Sequence, residues 1–134
     1  MTRFGIDAAT AIRISRDEVA IHPSHKLVAP NRLMSDALAS LYEAVRRGDC
    51  DRNEGRRILD GVTTMQIRLL GDRVSRGTAW RIAEERGWSD TGAAEYLAVA
   101  KLQADALIAL DDELVKRAAG VVPVVSFDAL TVSD

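Results

Sequence analysis

Short apolar runs that end at or lead to an acidic residue, each giving way to a stretch of helical periodicity, recur along this chain. Phe4-Gly5-Ile6 runs into Asp7, Leu27-Val28-Ala29-Pro30 leads to Asp36, and Leu107-Ile108-Ala109-Leu110 ends at Asp111, while Asp90-Thr91 opens a further helix. Strands that alternate with helices pair through crossovers, which makes the sheet parallel and covers both of its faces with helices. The expected fold class is therefore α/β, a three-layer α/β/α sandwich around a central, mainly parallel sheet. Sites in such sheets lie beyond the carboxyl ends of the strands, where Asp7 and Asp111 fall.

The elements can be placed more closely. Residues 3–6 read as a strand and Ala8–Ile14 as a helix, followed by a loop over Arg16–His25. Leu27–Ala29 reads as a buried strand, with Pro30 in the first turn of the next helix. Apolar residues at helical spacing (Leu33, Met34, Ala37, Leu38, Leu41, Tyr42, Val45) predict a helix over Asn31–Arg47, stopped by Gly48. Asp51 and Glu54 form a capping-box variant at the start of a helix that runs to about Thr64. Met65–Leu70 contains a strand, Asp72 starts a helix stopped by Gly87, and Asp90 is placed to cap Thr91–Leu102. Ala106–Leu110 reads as a strand, Asp112–Ala119 as a helix closed by Gly120, and Val121–Val125 as a last strand. With no repeat, low-complexity tract or linker, residues 1–134 read as one domain.

Composition narrows the functional classes. No apolar run approaches the ~20 residues that span a bilayer, and no signal-like segment opens the chain. The single Cys50 can form neither an internal disulfide nor a cysteine-rich zinc site, so a cytoplasmic location is the expectation. The net charge of −2 argues against a protein that coats nucleic acid. Between Arg46 and Arg86, however, ten arginines (46, 47, 52, 56, 57, 68, 73, 76, 81 and 86) face seven acidic residues. Arginine grips phosphate bidentately, although i,i+4 partners such as Asp72–Arg76 and Arg81–Glu85 would make these residues ordinary solvated helix faces. No glycine-rich nucleotide loop is present. His22 and His25 have no obvious third partner for a zinc site or a triad. Trp80, Trp88, Tyr42 and Tyr96 lie on or beside apolar stripes and read as core or partner-facing residues.

The acids carry the chemistry. Carboxylates gathered at strand ends suit a hard cation such as Mg²⁺ or Mn²⁺, which can activate water for phosphodiester attack. Asp7, Asp90 and Asp111 or Asp112 are each also explained as helix caps. Asp36 has no such explanation inside a predicted helix, and beside Met34, Ala37 and Leu38 it could project into a cleft. Glu43 lies two turns further on and is too far along to share one ion.

Taken together, Phe4-Gly5-Ile6-Asp7, Leu27-Val28-Ala29-Pro30 with Asp36, Ala94-Glu95-Tyr96-Leu97-Ala98-Val99-Ala100 and Leu107-Ile108-Ala109-Leu110-Asp111 resemble the PIN domain. Within that family the chain looks most like VapC, the ribonuclease toxin of bacterial toxin–antitoxin pairs, and the resemblance covers nearly the whole chain. It implies a metal-dependent endoribonuclease that uses Mg²⁺ or Mn²⁺, is inhibited by a cognate VapB-like antitoxin, and is usually a homodimer. Carried over to this sequence, the metal-holding acids are Asp7, Asp36 (where the family more often has glutamate) and Asp111. The family's third aspartate falls on Ala93, and the threonine or serine two residues before the last acid falls on Ala109. Asp90, at the same helix start, is the best-placed replacement, with Glu95 and Asp112 behind it. Leu33, Leu41, Val45 and Trp80 are candidates for the dimer surface. Two rivals stand beside the nuclease: a catalytically impaired PIN-like domain that binds protein or RNA, which Ala93 and Ala109 favour, and a receiver-type signalling domain. The receiver reading lacks paired acids after the first strand and a convincing late lysine.

Overall fold

The fold is given by a computed structural model, described over residues 1–133. In chain order it runs β1 (Thr2–Ile6), α1 (Ala8–Arg16), β2 (His25–Pro30), α2 (Leu33–Arg47), α3 (Arg52–Thr64), β3 (Ile67–Leu70), α4 (Arg73–Arg86), α5 (Gly92–Gln103), β4 (Ala106–Ile108) and α6 (Asp112–Ala118). A 3₁₀ turn over Phe127–Thr131 follows. The four strands form one sheet in the order β3-β2-β1-β4, and every pairing is parallel. Helices flank the sheet as a three-layer α/β/α sandwich: α4 and α5 pack together, with α5 against β1, β2 and β4, while α1, α2 and α3 pack on one another.

Local chemistry explains most boundaries. Asp7, Asp51 and Asp72 each sit before a helix in extended conformation and accept the backbone N–H three residues on, which satisfies an amide that the helix leaves free. Gly48 and Gly87 end α2 and α4 at φ of 83° and 70°, a left-handed conformation that a Cβ would strain.

Four expectations need correction. Pro30 is the last residue of β2, paired with Leu70, and α2 begins three residues later at Leu33. A proline has no N–H to give the sheet, yet its carbonyl and fixed φ suit a strand's final position. Val121–Val125 is not a strand: Val124 alone bridges Leu107, because Pro123 can offer only its carbonyl, which accepts from the Leu107 N–H. α5 starts at Gly92 with Thr91 at its cap, and the Asp90 carboxylate accepts only from the Gly92 N–H. Asp72–Arg76 and Arg81–Glu85 form no ion pair among the described residues; the Asp72 side chain caps α4 and Arg76 donates to the Gly71 carbonyl.

Core packing centres on β1 and α5. Phe4, Ile6, Leu27, Ala29, Leu97, Leu107 and Ile108 belong to one buried cluster with Leu33 and Val62. Leu33 and Leu41 are thus core residues, unavailable to a dimer surface, whereas Trp80 and Tyr42 are 68% and 64% exposed. α5 lies directly on β1 because Gly5 carries no side chain. A Cβ there would stand 2.9 Å from the Ala100 Cβ and 3.3 Å from its Cα. Gly5→Ala should therefore destabilise the fold by about 1–3 kcal/mol, as overpacked positions do. Adding Ala100→Gly should recover much of that loss, apart from the ~1 kcal/mol that a helix-interior glycine costs. Urea unfolding of the two single variants and the double variant tests this, and additive losses would show that the contact does not limit the packing.

Candidate functional site

Asp7 lies where β1 turns into α1, and it is 3% exposed. Its carboxylate is shared between two parts of the chain. Oδ1 accepts the Thr10 N–H at 2.8 Å and faces the Thr10 hydroxyl at 2.6 Å, while Oδ2 accepts the backbone N–H groups of Leu110 at 3.1 Å and Asp111 at 3.0 Å. The Thr10 hydroxyl also lies 3.0 Å from the Ile108 carbonyl, so its one proton serves one acceptor at a time. Asp7 thereby fixes the β4–α6 turn that presents Asp111.

Asp36 enters from the first turn of α2. Its carboxylate receives a two-pronged grip from Arg32, Nε to Oδ2 at 2.8 Å and Nη2 to Oδ1 at 3.2 Å, and a third donor in the Tyr96 hydroxyl, 2.6 Å from Oδ2. Arg32 reaches on to Glu95 Oε2 of α5 at 3.1 Å. The Asp36 bond holds the Arg32 guanidinium still more firmly protonated than usual, against the effect of burial. Burial first, then the Asp36 bond, push the Tyr96 phenol well above the ordinary tyrosine value.

Asp7, Asp36, Ala93 and Asp111 line one cleft of about 400 Å³ at the carboxyl ends of the strands, together with Arg32, Tyr96, Glu113 and Arg117. Asp111 is exposed and caps α6 through the Glu113 N–H at 2.9 Å. Arg117 pairs with Glu113 at 3.1 Å and covers the Trp88 ring at 4.7 Å. Asp90 does not line the cleft; it is exposed at the start of α5. Asp112 and Glu43 are exposed outside it. The structure thus brings three of the four expected acids together and leaves Asp90 at the edge. It adds Thr10, Arg32 and Glu113, which the sequence reading passed over, and gives Tyr96 a polar role beyond the core. The i,i+4 spacing of Arg32 and Asp36 was the one available signal for that pair.

The resemblance implies a divalent cation in this cleft, and the donors can be tested against it. Oxygen ligands are the right kind for Mg²⁺ or Mn²⁺. Asp7, however, has two donors on each oxygen, and Asp36 is held by three donors, two of them on the Arg32 guanidinium. Among the described residues no group of three or more His, Cys, Asp or Glu is arranged to hold a metal ion. As arranged, the residues do not fit a resident divalent ion; Arg32 supplies the positive charge beside Asp36.

Two outcomes follow from this geometry. Asp7→Asn should destabilise the fold by about 2–4 kcal/mol with no ligand present. A carboxamide accepts on one atom only, and its NH₂ would face backbone N–H groups that lose their partner. Equilibrium unfolding measures this, and a loss under ~1 kcal/mol would mean that the Asp7 bonds are dispensable. For Tyr96, the unfolded phenol loses its proton near pH 10 while the folded one keeps it. The folded state then binds more protons, so stability should be intact below pH 10 and fall as pH rises above it. Tyr96→Phe should flatten that alkaline slope, which stability measurements between pH 8 and 11 would reveal.

No family model and no curated protein matches the chain. Among solved structures it is similar to the crystal structure of PAE2754 from Pyrobaculum aerophilum. The TM-score is 0.70 and the sequence identity 23%, over 97% of this chain and 92% of that one. At that identity the likeness extends to the fold alone.

Proposed function

We propose that this chain is a PIN-like domain of the VapC type that receives RNA in its acidic cleft, with metal-dependent cleavage impaired. The observation that carries this reading is the Arg32 guanidinium spanning Asp36 and Glu95 in the cleft, beside Ala93 where the family has a third aspartate. A guanidinium there neutralises Asp36 without activating water. Arg117, bonded to Glu113 through Nε alone, keeps both Nη groups for a phosphate that enters the cleft, and Arg32, although bonded to Asp36 and Glu95, keeps the second N–H of each Nη. Asp7, held by Thr10 and by the Leu110 and Asp111 amides, lines the same cleft.

A second reading, an active Mg²⁺- or Mn²⁺-dependent endoribonuclease, is favoured by one observation: Asp7, Asp36 and Asp111 line the same cleft, and the Arg32 side chain is 37% exposed, free enough to swing aside. The VapB-like antitoxin belongs to both readings. Its natural seat is the apolar groove between α2 and α3, where Leu38 and Tyr42 are exposed and Arg46, Arg52 and Arg56 form the rim. A homodimer through exposed Trp80 and a cytoplasmic location complete the proposal. No helix of the described chain is long and apolar enough to cross a membrane.

Thermal unfolding in millimolar Mn²⁺, together with cleavage of a labelled RNA, separates these readings. The parent chain is expected to show an unchanged melting temperature and weak cleavage. The Arg32→Ala/Ala93→Asp variant frees Asp36 and adds a carboxylate at a partly exposed cleft position. It should gain metal-dependent stabilisation, about 1.4 kcal/mol at ten times its dissociation constant, and cleave faster. A parent chain that is stabilised by Mn²⁺ and cleaves as well as the variant establishes the second reading. If neither protein binds RNA, both readings fail.

A further inference from the structure

At the amino ends of the strands, opposite the acidic cleft, a groove of about 760 Å³ opens between the first residues of β1, β2 and β3 and the loop that precedes β2. Arg3, Lys26 and Arg68 line it, and among the described residues no carboxylate does. All three side chains are exposed, and none has an ion-pair or side-chain hydrogen-bond partner among the described residues. Asp105 comes nearest in the pairing, but its Oδ2 accepts the Arg3 backbone N–H at 2.8 Å.

The sheet register makes this a designed row of charge. Arg3 pairs with Lys26 across β1 and β2, and Val28, two residues on, pairs with Arg68 of β3. Side chains alternate along a strand, so Arg3 and Gly5 share a face, and Lys26, Val28 and Arg68 share it with them. Gly5 places that face under α5. At the amino ends of the strands this face is open, since Arg3, Lys26 and Arg68 are all exposed. Neighbouring strands lie about 4.8 Å apart, and two residues along a strand is about 6.6 Å. Three like charges at such spacing repel one another, and an anion that bridges them relieves the repulsion.

We infer that this groove binds a run of linked phosphates, carried either by a nucleic-acid backbone or by a free oligophosphate. Two of the three cations are arginines, whose forked donors match phosphate oxygens. The walls combine aliphatic side chains (Ile21, Leu27, Met65) with the imidazoles of His22 and His25; no tryptophan, tyrosine or phenylalanine among the described residues lines them, and any stacking on an imidazole tolerates every base. Binding is therefore indifferent to base sequence. The inference does not depend on what the acidic cleft does.

The test uses the whole chain and two probes, a labelled oligouridylate of about twelve nucleotides and inorganic tripolyphosphate. Each is titrated into the parent and into Arg3→Gln/Lys26→Gln/Arg68→Gln, whose exposed positions should leave the melting curve unchanged. The triple variant should bind at least one probe about tenfold or more weaker, and its oligonucleotide salt slope should fall by about two, the value for three lost phosphate contacts at 0.7 each. A response to the oligonucleotide alone identifies the backbone as the ligand, and a response to tripolyphosphate alone identifies a free oligophosphate. An Arg32→Gln/Arg117→Gln variant is measured in parallel. If the oligonucleotide responds to that change and the triple variant binds both probes as the parent does, the groove is overturned while the cleft reading stands. If neither probe binds the parent, or oligoglutamate of equal charge competes as well as phosphate, the groove is likewise overturned.

Discussion

The buried carboxylate of Asp7 joins the two chain segments on which the cleft depends. It caps α1 through Thr10, and it orders the turn after β4 through the amides of Leu110 and Asp111, more than a hundred residues away in sequence. Hydrogen bonds to a charged acceptor contribute about 1.5–3 kcal/mol each, and the Thr10 N–H among the donors is fully buried. A parallel sheet whose first strand is central needs such a tie, because β1 and β4 meet over only three paired positions. Removing Asp7 would therefore disturb the position of Asp111 as well, so loss of any activity in an Asp7 variant cannot by itself be read as loss of a reacting group.

The same accounting bears on what the acids of the cleft are for. A carboxylate has about four lone-pair positions. Those of Asp7 face four donors, and those of Asp36 are taken by Arg32 and Tyr96. Clustered carboxylates repel unless a cation intervenes. In this chain the intervening cation is covalently attached, one helical turn before Asp36. A divalent ion would have to displace a guanidinium held on two acids, in competition with a part-buried pair rather than with water. That requirement separates this cleft from one merely waiting for metal, and it makes Arg32 the residue on which both functional readings turn.

Much of the scaffold was legible because its signals are local. The caps Asp51 and Asp72, the stops Gly48 and Gly87 and the apolar period of α2 act within one or two turns, and each element formed where those residues put it. The failures share a different cause. Val121–Val125 has strand composition, but a strand needs a partner with free donors and acceptors, and Pro123 gives the β4 edge only one bridge. Leu33 and Leu41 looked surplus to a single core because the packing of α2 on its neighbours cannot be counted from one helix's own period. Within the cleft, Asp36 stood out as an acid without a capping role. Its partners Arg32 and Tyr96, and Glu95 that shares Arg32 with it, come from the residue before α2 and from α5, and only the sheet topology brings α5 alongside.

Topology also explains why acids at strand ends are ambiguous in sequence. In a parallel α/β sheet every helix that follows a strand starts at the strands' carboxyl end, so free N–H groups and the positive ends of helix dipoles collect there. Asp7 and Asp111 meet that demand as caps whether or not they touch a substrate. The amino end carries no such demand for cations. Arg3, Lys26 and Arg68 cap nothing and pair with nothing among the described residues, yet the register holds them on one face. Charges that the fold itself does not use are the ones whose placement most needs an external partner, and in this chain those charges lie at the basic end of the sheet rather than the acidic one.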